Sequence, residues 1–459
     1  MSRFWELEPP GAATAALTPD GIRHSYQQLA DLADQCSQQF PNDRSVGLIL
    51  CRNTPATLIT YLACLRHGHV ALLLDAALPQ DLIDKLIQTY RAEWLVDAAG
   101  SFKLTGQSAA DNSAVNNNAV DQRAALMLST SGSTGSPKQV VLSADNLNAN
   151  AHSIAQYLDV GPDERPITTL PFHYSYGLSV INSHLLQGAT LLITEDALVT
   201  KEFWAFFREA GATSLAGVPT FYDMLHRLRL ETMDLPSLRT LTQAGGRLAT
   251  EQVRHFTQLT KEKGWRFFVM YGQTEATARM AYLPPAMLED YPDCIGVPVP
   301  GGEFWLADTS GQHIEETETE GELIYRGPNV MLGYACCRED LSLLSPSDVL
   351  HTGDLAMRNT AGLYRITGRL KRIIKLHGHR VSLDEMEQAF QANGHNVICG
   401  GDDQHLIIAH RPSEQAESLQ TFAMQRLRVP ATAIQCIALD AWPTTDSGKI
   451  AYHKLTESV

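Results

Sequence analysis

The stretch SVGLILCRNTPATLITYLACLRHGHVALLLD, residues 45–75, decides the fold. Its two ends, SVGLILC (45–51) and HVALLLD (69–75), are continuous apolar runs of strand length, and residues 57–67 between them read as a helix. Buried strands alternating with helices are the signature of a parallel sheet covered by helices. Upstream, residues 25–38 carry apolar side chains at helical spacing. Downstream, residues 106–120 turn to Ser, Asn, Ala and Gln without periodicity, a surface connection.

The alternation then resumes. AALMLST (124–130), TLLITED (190–196), TSLAGVP (213–219), LRTLTQAGG (238–246) and RFFVMYG (266–272) read as strands, with a helix over 203–209. Past residue 292 come short strands with turns, such as GELIYRG (321–327) and GLYRITGR (362–369), which predict a strand-rich subdomain. Residues 370–459 look self-contained, with helices near 382–392 and 418–427 around NVICGG and HLIIAH. The expected fold class is α/β. A large N-terminal domain (1–369) holds two helix-covered sheets and the strand-rich subdomain (about 293–368), and a small α+β domain (370–459) follows a hinge near 369–371.

Composition narrows the function. The chain has 459 residues, 44% of them hydrophobic and 19% charged, as in a globular enzyme and unlike a disordered chain. With 36 Lys plus Arg against 51 Asp plus Glu, the net charge is −15, which argues against nucleic-acid binding over the whole surface. No run of about 18 apolar residues is present, so no membrane span is expected. The start, MSRFWELEPP, lacks an apolar signal core, and eight cysteines without a CxxC pair make neither a disulfide framework nor a zinc site. A cytoplasmic location fits these features.

Four motifs carry chemistry. STSGSTGSPK (129–138) packs hydroxyls and glycines between two strand-like runs and ends in Lys138. Glycines let the backbone approach an anion, hydroxyls donate hydrogen bonds, and the lysine adds charge. In a Walker A loop the lysine opens a helix; here a β-branched run follows it, so the loop joins two strands and a P-loop kinase is excluded. YGQTEA (271–276) leaves the strand RFFVM at the sheet edge where ligands of open α/β folds bind, presenting Tyr271, Thr274 and Glu275. Tyr271 can stack on a base, Thr274 can bond a phosphate, and Glu275 can hold Mg²⁺, which prefers oxygen ligands. HTGDL (351–355) places Asp354 in a glycine turn suited to ribose hydroxyls, and PTTDSGKI (443–450) carries Lys449. Alone, the first, second and fourth have ordinary alternatives, respectively a flexible turn, a helix cap and a solubilising charge.

In this order and at these separations the four motifs resemble the adenylate-forming superfamily: acyl- and aryl-CoA synthetases, peptide-synthetase adenylation domains and luciferases. The resemblance runs from residue 25 to Lys449. It implies phosphate roles for Ser131, Gly132, Ser133, Thr134, Gly135 and Lys138, and an adenine segment at Gly245 and Gly246. It also implies adenine packing by Tyr271 next to Gly272, an α-phosphate contact for Thr274, Mg²⁺ ligation by Glu275, and ribose binding by Asp354 aided by Arg369. Lys449 becomes the cation that stabilises charge on the α-phosphate. The C-terminal domain becomes a lid that rotates about Lys371 between two steps, exchanging Lys449 for the loop of Gly378 and Arg380. Departures from the family pattern are Gln139 in place of a glycine, Arg247 in the adenine segment, and IAYHKL (450–455) where basic residues are common.

The resemblance also locates an acyl pocket along PFHYSYGLSV (171–180). Amino-acid-activating relatives place an aspartate there; Gly177 is the best match here, and the segment has no carboxylate. An unpaired ammonium is costly to bury, so the expected substrate is a fatty or aromatic acid without an α-amino group. His173, Tyr176, Gly177, Phe221 and Tyr222 are pocket candidates, with Gly177 expected to leave room for the acyl group. The implied reaction is ATP- and Mg²⁺-dependent formation of an acyl-AMP, then transfer to CoA. Loading of a carrier-protein phosphopantetheine is the alternative. A degenerate nucleotide-binding relative is a third outcome, against which intact Lys138, Glu275, Asp354 and Lys449 count.

Overall fold

The computed structural model describes residues 2–8, 12–107, 120–129, 138–376, 379–402, 404–444 and 450–456. The chain divides into two compact units, Met1–Glu303 with Arg326–Leu350, and Phe304–Tyr325 with His351–Val459.

The stretch that opens the sequence argument becomes β1 (Val46–Cys51), a helix (Pro55–His67) and β2 (Val70–Asp75), with β1 and β2 paired in parallel. Thr54 caps the helix and Pro55 begins it, where a missing N–H costs nothing. Alternate strand residues face opposite ways, which explains why the runs are apolar throughout. Ile49, Ala71 and Leu73 enter one core with Leu29 and Leu58, whereas Leu48, Leu50, Leu72 and Leu74 enter another with Ile83 and Leu86. Helix Tyr26–Ser37 begins at a reciprocal Ser25–Gln28 capping box.

β3 (Ala124–Ser129) continues the sheet in parallel beside β2, and β4 (Gln139–Ser143) turns back antiparallel to β3. The Ser/Gly loop therefore joins two adjacent strands. Strand Gly333–Ala335 adds to the outer edge of β4, with Tyr334 opposite Val140. A second sheet is built from β5 (Ser214–Gly217), β6 (Thr240–Gln243) and β7 (Arg266–Tyr271) in parallel, then β8 (Ala281–Leu283) antiparallel. This is the α/β class expected, with antiparallel edges added to the parallel centres.

Residues 190–196 differ from expectation: only Leu191–Leu192 is strand. The Thr194 hydroxyl bonds both the side chain and the N–H of Asp196, and the Thr168 hydroxyl takes the Thr194 carbonyl. These local bonds stand in for a ladder.

The second unit holds a five-stranded sheet that includes Val349–Arg358 and Tyr364–Arg369, a hairpin Ile373–Leu376 with His379–Ser382, and a three-stranded sheet from Val397 onward. Helices Leu383–Ala392 and Ala416–Leu427 cover a core containing Phe390, Ile408 and Leu419. Arg372 fastens this unit. Its guanidinium pairs with Asp384 and with Glu387 (2.8 Å), donates to the Cys399 carbonyl (2.8 Å), and lies 3.6 Å from the Tyr452 ring centroid.

Candidate active site

β6 and β7 are parallel neighbours, so the residues that leave their carboxyl ends share one sheet edge. Gly245 and Gly246 follow β6, where the Gly246 carbonyl accepts from the Gln243 side chain at 2.8 Å. Tyr271 ends β7. Gly272 is required by close packing, since a Cβ there would stand 1.8 Å from the Ala278 carbonyl oxygen. The chain then makes a 3₁₀ turn over Thr274–Ala276, and Thr277 takes φ +65°, a strained conformation for a β-branched residue. Buried Asn329 holds this turn: its side chain donates to the Ala276 and Arg279 carbonyls, and its own carbonyl accepts the Thr277 hydroxyl. Strain held in this way is characteristic of functional turns.

Glu275 sits in a chain of contacts invisible from sequence. Its Oε1 accepts the Tyr334 hydroxyl at 2.9 Å, and the Lys138 ammonium lies 3.6 Å from the centroid of the same ring. Burial, and the charge of Glu275, push the Tyr334 hydroxyl pKa up, so it stays a donor to the carboxylate. The cation–ring contact is worth about 0.5–2 kcal/mol. Tyr334 reaches both charges because its strand is appended to β4, whose first residue follows Lys138. The Ser129 hydroxyl donates to the Gln139 side chain at 2.8 Å across the neck of the Ser/Gly loop. Gln139, the departure from a glycine, thus clasps the loop's base. Ser131, Gly132, Ser133, Thr134 and Gly135 lie outside the described residues.

A single carboxylate beside hydroxyls is a donor set that suits Mg²⁺ when substrate phosphates complete its coordination. Glu275 fits that requirement, with the Thr274 hydroxyl 3.4 Å from that of Ser175. Bound with ATP, the ion would neutralise phosphate charge; Glu275 would hold it.

The pocket candidates separate into two settings. Tyr176 is buried, and its hydroxyl donates to the Thr242 carbonyl at 2.8 Å. Phe221 and Tyr222 are buried on helix Pro219–Arg227, where Tyr222 meets Phe256 edge to face at 4.9 Å. His173 instead faces an open cleft of about 500 Å³ lined by Arg52, Asn53, Asp75 and Glu195, with Nε2 3.9 Å from Asp75. That cleft lies at the carboxyl ends of β1 and β2 and carries charged side chains of both signs, whereas Tyr176 has one cation, Arg279, against its ring.

Gly177 corrects the reason given for it. A Cβ there would stand 2.4 Å from the Pro171 carbonyl oxygen and 3.1 Å from Leu170. The glycine therefore provides close backbone approach of helix Ser175–Leu186 to the preceding turn, and no room for an acyl group on that side. Gly177→Ala is expected to lower stability by about 1–3 kcal/mol through overpacking. Urea denaturation checks this, and unchanged stability would show that the turn yields.

In the second unit, Asp354 and Arg369 are cross-strand partners, with Arg369 Nε 2.9 Å from Asp354 Oδ1. The aspartate is 2% exposed and the arginine side chain 59% exposed, so the carboxylate is oriented from its open side. Lys371 lies in the 3₁₀ turn Leu370–Arg372, and Arg380 in the strand His379–Ser382. Gly378 and Lys449 lie outside the described residues. The base of the Lys449 turn is described: Thr444 and Ile450 pair antiparallel, and the Ala451 N–H bonds the Pro443 carbonyl at 2.8 Å.

A carboxylate, a tyrosine and a lysine gathered beside a Ser/Gly loop at the ends of α/β strands define a nucleotide-dependent, adenylate-forming enzyme. A family model described as AMP-binding enzyme matches residues 7–335, and the chain belongs to that family. It is 27% identical over 437 residues to a feruloyl-CoA synthase of an Amycolatopsis species, covering 89% of this chain and 87% of that one. It is also 27% identical over 387 residues to a D-alanine–D-alanyl carrier protein ligase of Bacillus licheniformis, covering 79% and 76%. The fold matches that of o-succinylbenzoate CoA synthetase from Bacillus subtilis in complex with its acyl-adenylate, with a TM-score of 0.79 and 20% identity over 99% of this chain and 98% of that one. The protein is an AMP-forming acid–thiol ligase, which activates an acid as acyl-AMP and passes the acyl group to CoA or a carrier. No helix among the described residues is long and apolar enough to cross a membrane.

Proposed function

We propose that the protein activates a carboxylic acid lacking an α-amino group and transfers it to CoA. The observation that carries this reading is the linked set Glu275–Tyr334–Lys138 next to the Ser/Gly loop, with no carboxylate along residues 171–180 to receive an ammonium.

A carboxylate oxygen attacks the α-phosphorus of ATP, the bond to the β-phosphate oxygen breaks, and pyrophosphate leaves. Lys138 and the Ser/Gly loop hold the phosphates that become pyrophosphate. Thr274 contacts the α-phosphate, Tyr271 packs on adenine, and Asp354 with Arg369 binds the ribose. In the second step a thiol sulfur bonds the acyl carbon and AMP departs. The lid, residues 370–459 turning at Lys371, would bring Lys449 for the first step and the segment of Gly378 and Arg380 for the second. The reaction is then confined to a soluble acid and a soluble acceptor, in the cytoplasm and without nucleic acid. Carrier-protein loading is the second reading, permitted by the short chain and by the IAYHKL tail, which offers few cations to a CoA phosphate or to an acidic carrier.

The test is acid-dependent exchange of labelled pyrophosphate into ATP over fatty, short-chain, aryl and amino acids, followed by acceptor trials. Exchange with a non-amino acid and thioester formation with CoA are expected. Exchange with amino acids alone, or none with any acid, would refute the proposal.

A further inference from the structure

Arg279 is a buried cation to which the mechanism gives no work. It is 3% exposed, and its Nε has no hydrogen-bond partner. Among the described residues, part-buried Arg44 is held by the carbonyls of Gly68, Asp121 and Ala124, whereas two other arginines receive carboxylates, although Arg338 shares the unpartnered Nε. Arg338 has Glu93 at 2.9 Å, and Arg372 has Asp384 and Glu387. Among the described residues, no carboxylate pairs with Arg279. Its neighbours are phenols. The guanidinium lies 3.7 Å from the centroid of the Tyr176 ring. Burial pushes the pKa of Tyr157, Tyr174 and Tyr176 up; the Arg279 charge opposes this at all three, and at Tyr157 a hydrogen bond with the guanidinium adds to it, so among the described residues phenols alone compensate the cation.

Ring faces compensate a guanidinium only partly, and arginine is almost never fully buried unless paired. A second group nearby is also unmatched. The Tyr222 hydroxyl is fully buried without a hydrogen-bond partner and in electrostatic reach of Tyr176. Two unmatched donors thus border one tyrosine. That tyrosine follows Ser175, whose hydroxyl is 3.4 Å from Thr274, and Arg279 comes five residues after Thr274 on the same turn. Arg279 and the Tyr176 ring it lies on are thus close in sequence to the Ser175–Thr274 contact.

The geometry points to a substrate with a second carboxylate, which Arg279 receives while the first is adenylated. The inference rests on the proposed adenylation and deepens it to dicarboxylic acids. A planar guanidinium offers two parallel donors to a carboxylate, which suits it to this task better than an ammonium. Tyr222 supplies a further hydrogen bond, and Tyr176, fixed through Thr242, keeps the guanidinium in place when no acid is bound.

Acid-dependent pyrophosphate release with butyrate against succinate, hexanoate against adipate and benzoate against terephthalate tests this. At least one diacid should exceed its monoacid partner by on the order of 10²-fold in kcat/KM. Arg279→Gln should erase that preference, mainly through KM, and leave the monoacids within a few-fold. Arg279→Lys should restore part of it. Preference for monoacids throughout, or an equal loss on both members of each pair in Arg279→Gln, would overturn the assignment. Binding of the three diacids without ATP, measured by calorimetry, keeps the two proposals separate. Binding by the wild type that Arg279→Gln loses supports the assignment even where no acid releases pyrophosphate, which would count against adenylation alone. Binding of none of them overturns it.

Discussion

Lys449→Ala is expected to slow acyl-AMP formation by about 10²–10³-fold and to leave thioester formation from supplied acyl-AMP near its normal rate. As a carboxylate attacks the α-phosphate, two anions meet and negative charge gathers on the phosphoryl oxygens. A cation placed before the reaction lowers that barrier without reorganising solvent. The second step begins from a mixed anhydride whose leaving group is AMP, so it has no such demand at the same place. The described residues on either side of Lys449 are anchored. Thr444 and Ile450 pair antiparallel, and Leu455 is 1% exposed, packed with Ile398 and Ala409. Quenched-flow measurement of each half-reaction decides the matter. Equal losses in both would remove Lys449 from a step-specific role.

The second large effect concerns stability. Arg372→Leu should destabilise the second unit by about 3–5 kcal/mol, because removing one partner of a buried ion pair strands the others. Asp384 and Glu387, whose carboxyl pKa values burial already raises against the opposing charge of Arg372, would lose that charge. Their folded-state pKa values would climb further above the unfolded ones. The folded variant would then bind more protons than the unfolded chain, so its stability should be greatest at low pH and fall as pH rises from about 4. Hydrogen exchange over residues 373–444 at pH 5 and pH 8 reads this directly. A loss that is the same at both pH values would mean that the carboxylates find other partners.

Much of the fold was legible because it depends on local pattern. The runs at 45–51 and 69–75 are apolar on both faces since both faces are covered, and Thr54, Pro55 and Gly68 mark the helix between them. The motif residues are proposed for a related reason: glycines, hydroxyls and a lone carboxylate at a strand end suggest a ligand by type. What stayed hidden depends on partners distant in sequence. Tyr334 matters only because its strand is added to β4, and nothing in GYACC announces that. Arg279 reads as a surface charge until the three tyrosines around it are seen. Gly177 was assigned for the space it leaves, whereas its Cβ direction is closed by Pro171, a contact that no periodicity encodes.

The Ser129–Gln139 clasp has a thermodynamic consequence for nucleotide affinity. Ordering a loop around phosphates loses chain entropy, and that loss scales with the segment free to rearrange. The clasp fixes Ser129 and Gln139 before ATP arrives, so these two positions have no such loss left to suffer, whereas a glycine at 139 would add its own. The glutamine therefore gives up adaptability at its own position for a smaller entropic opposition to binding.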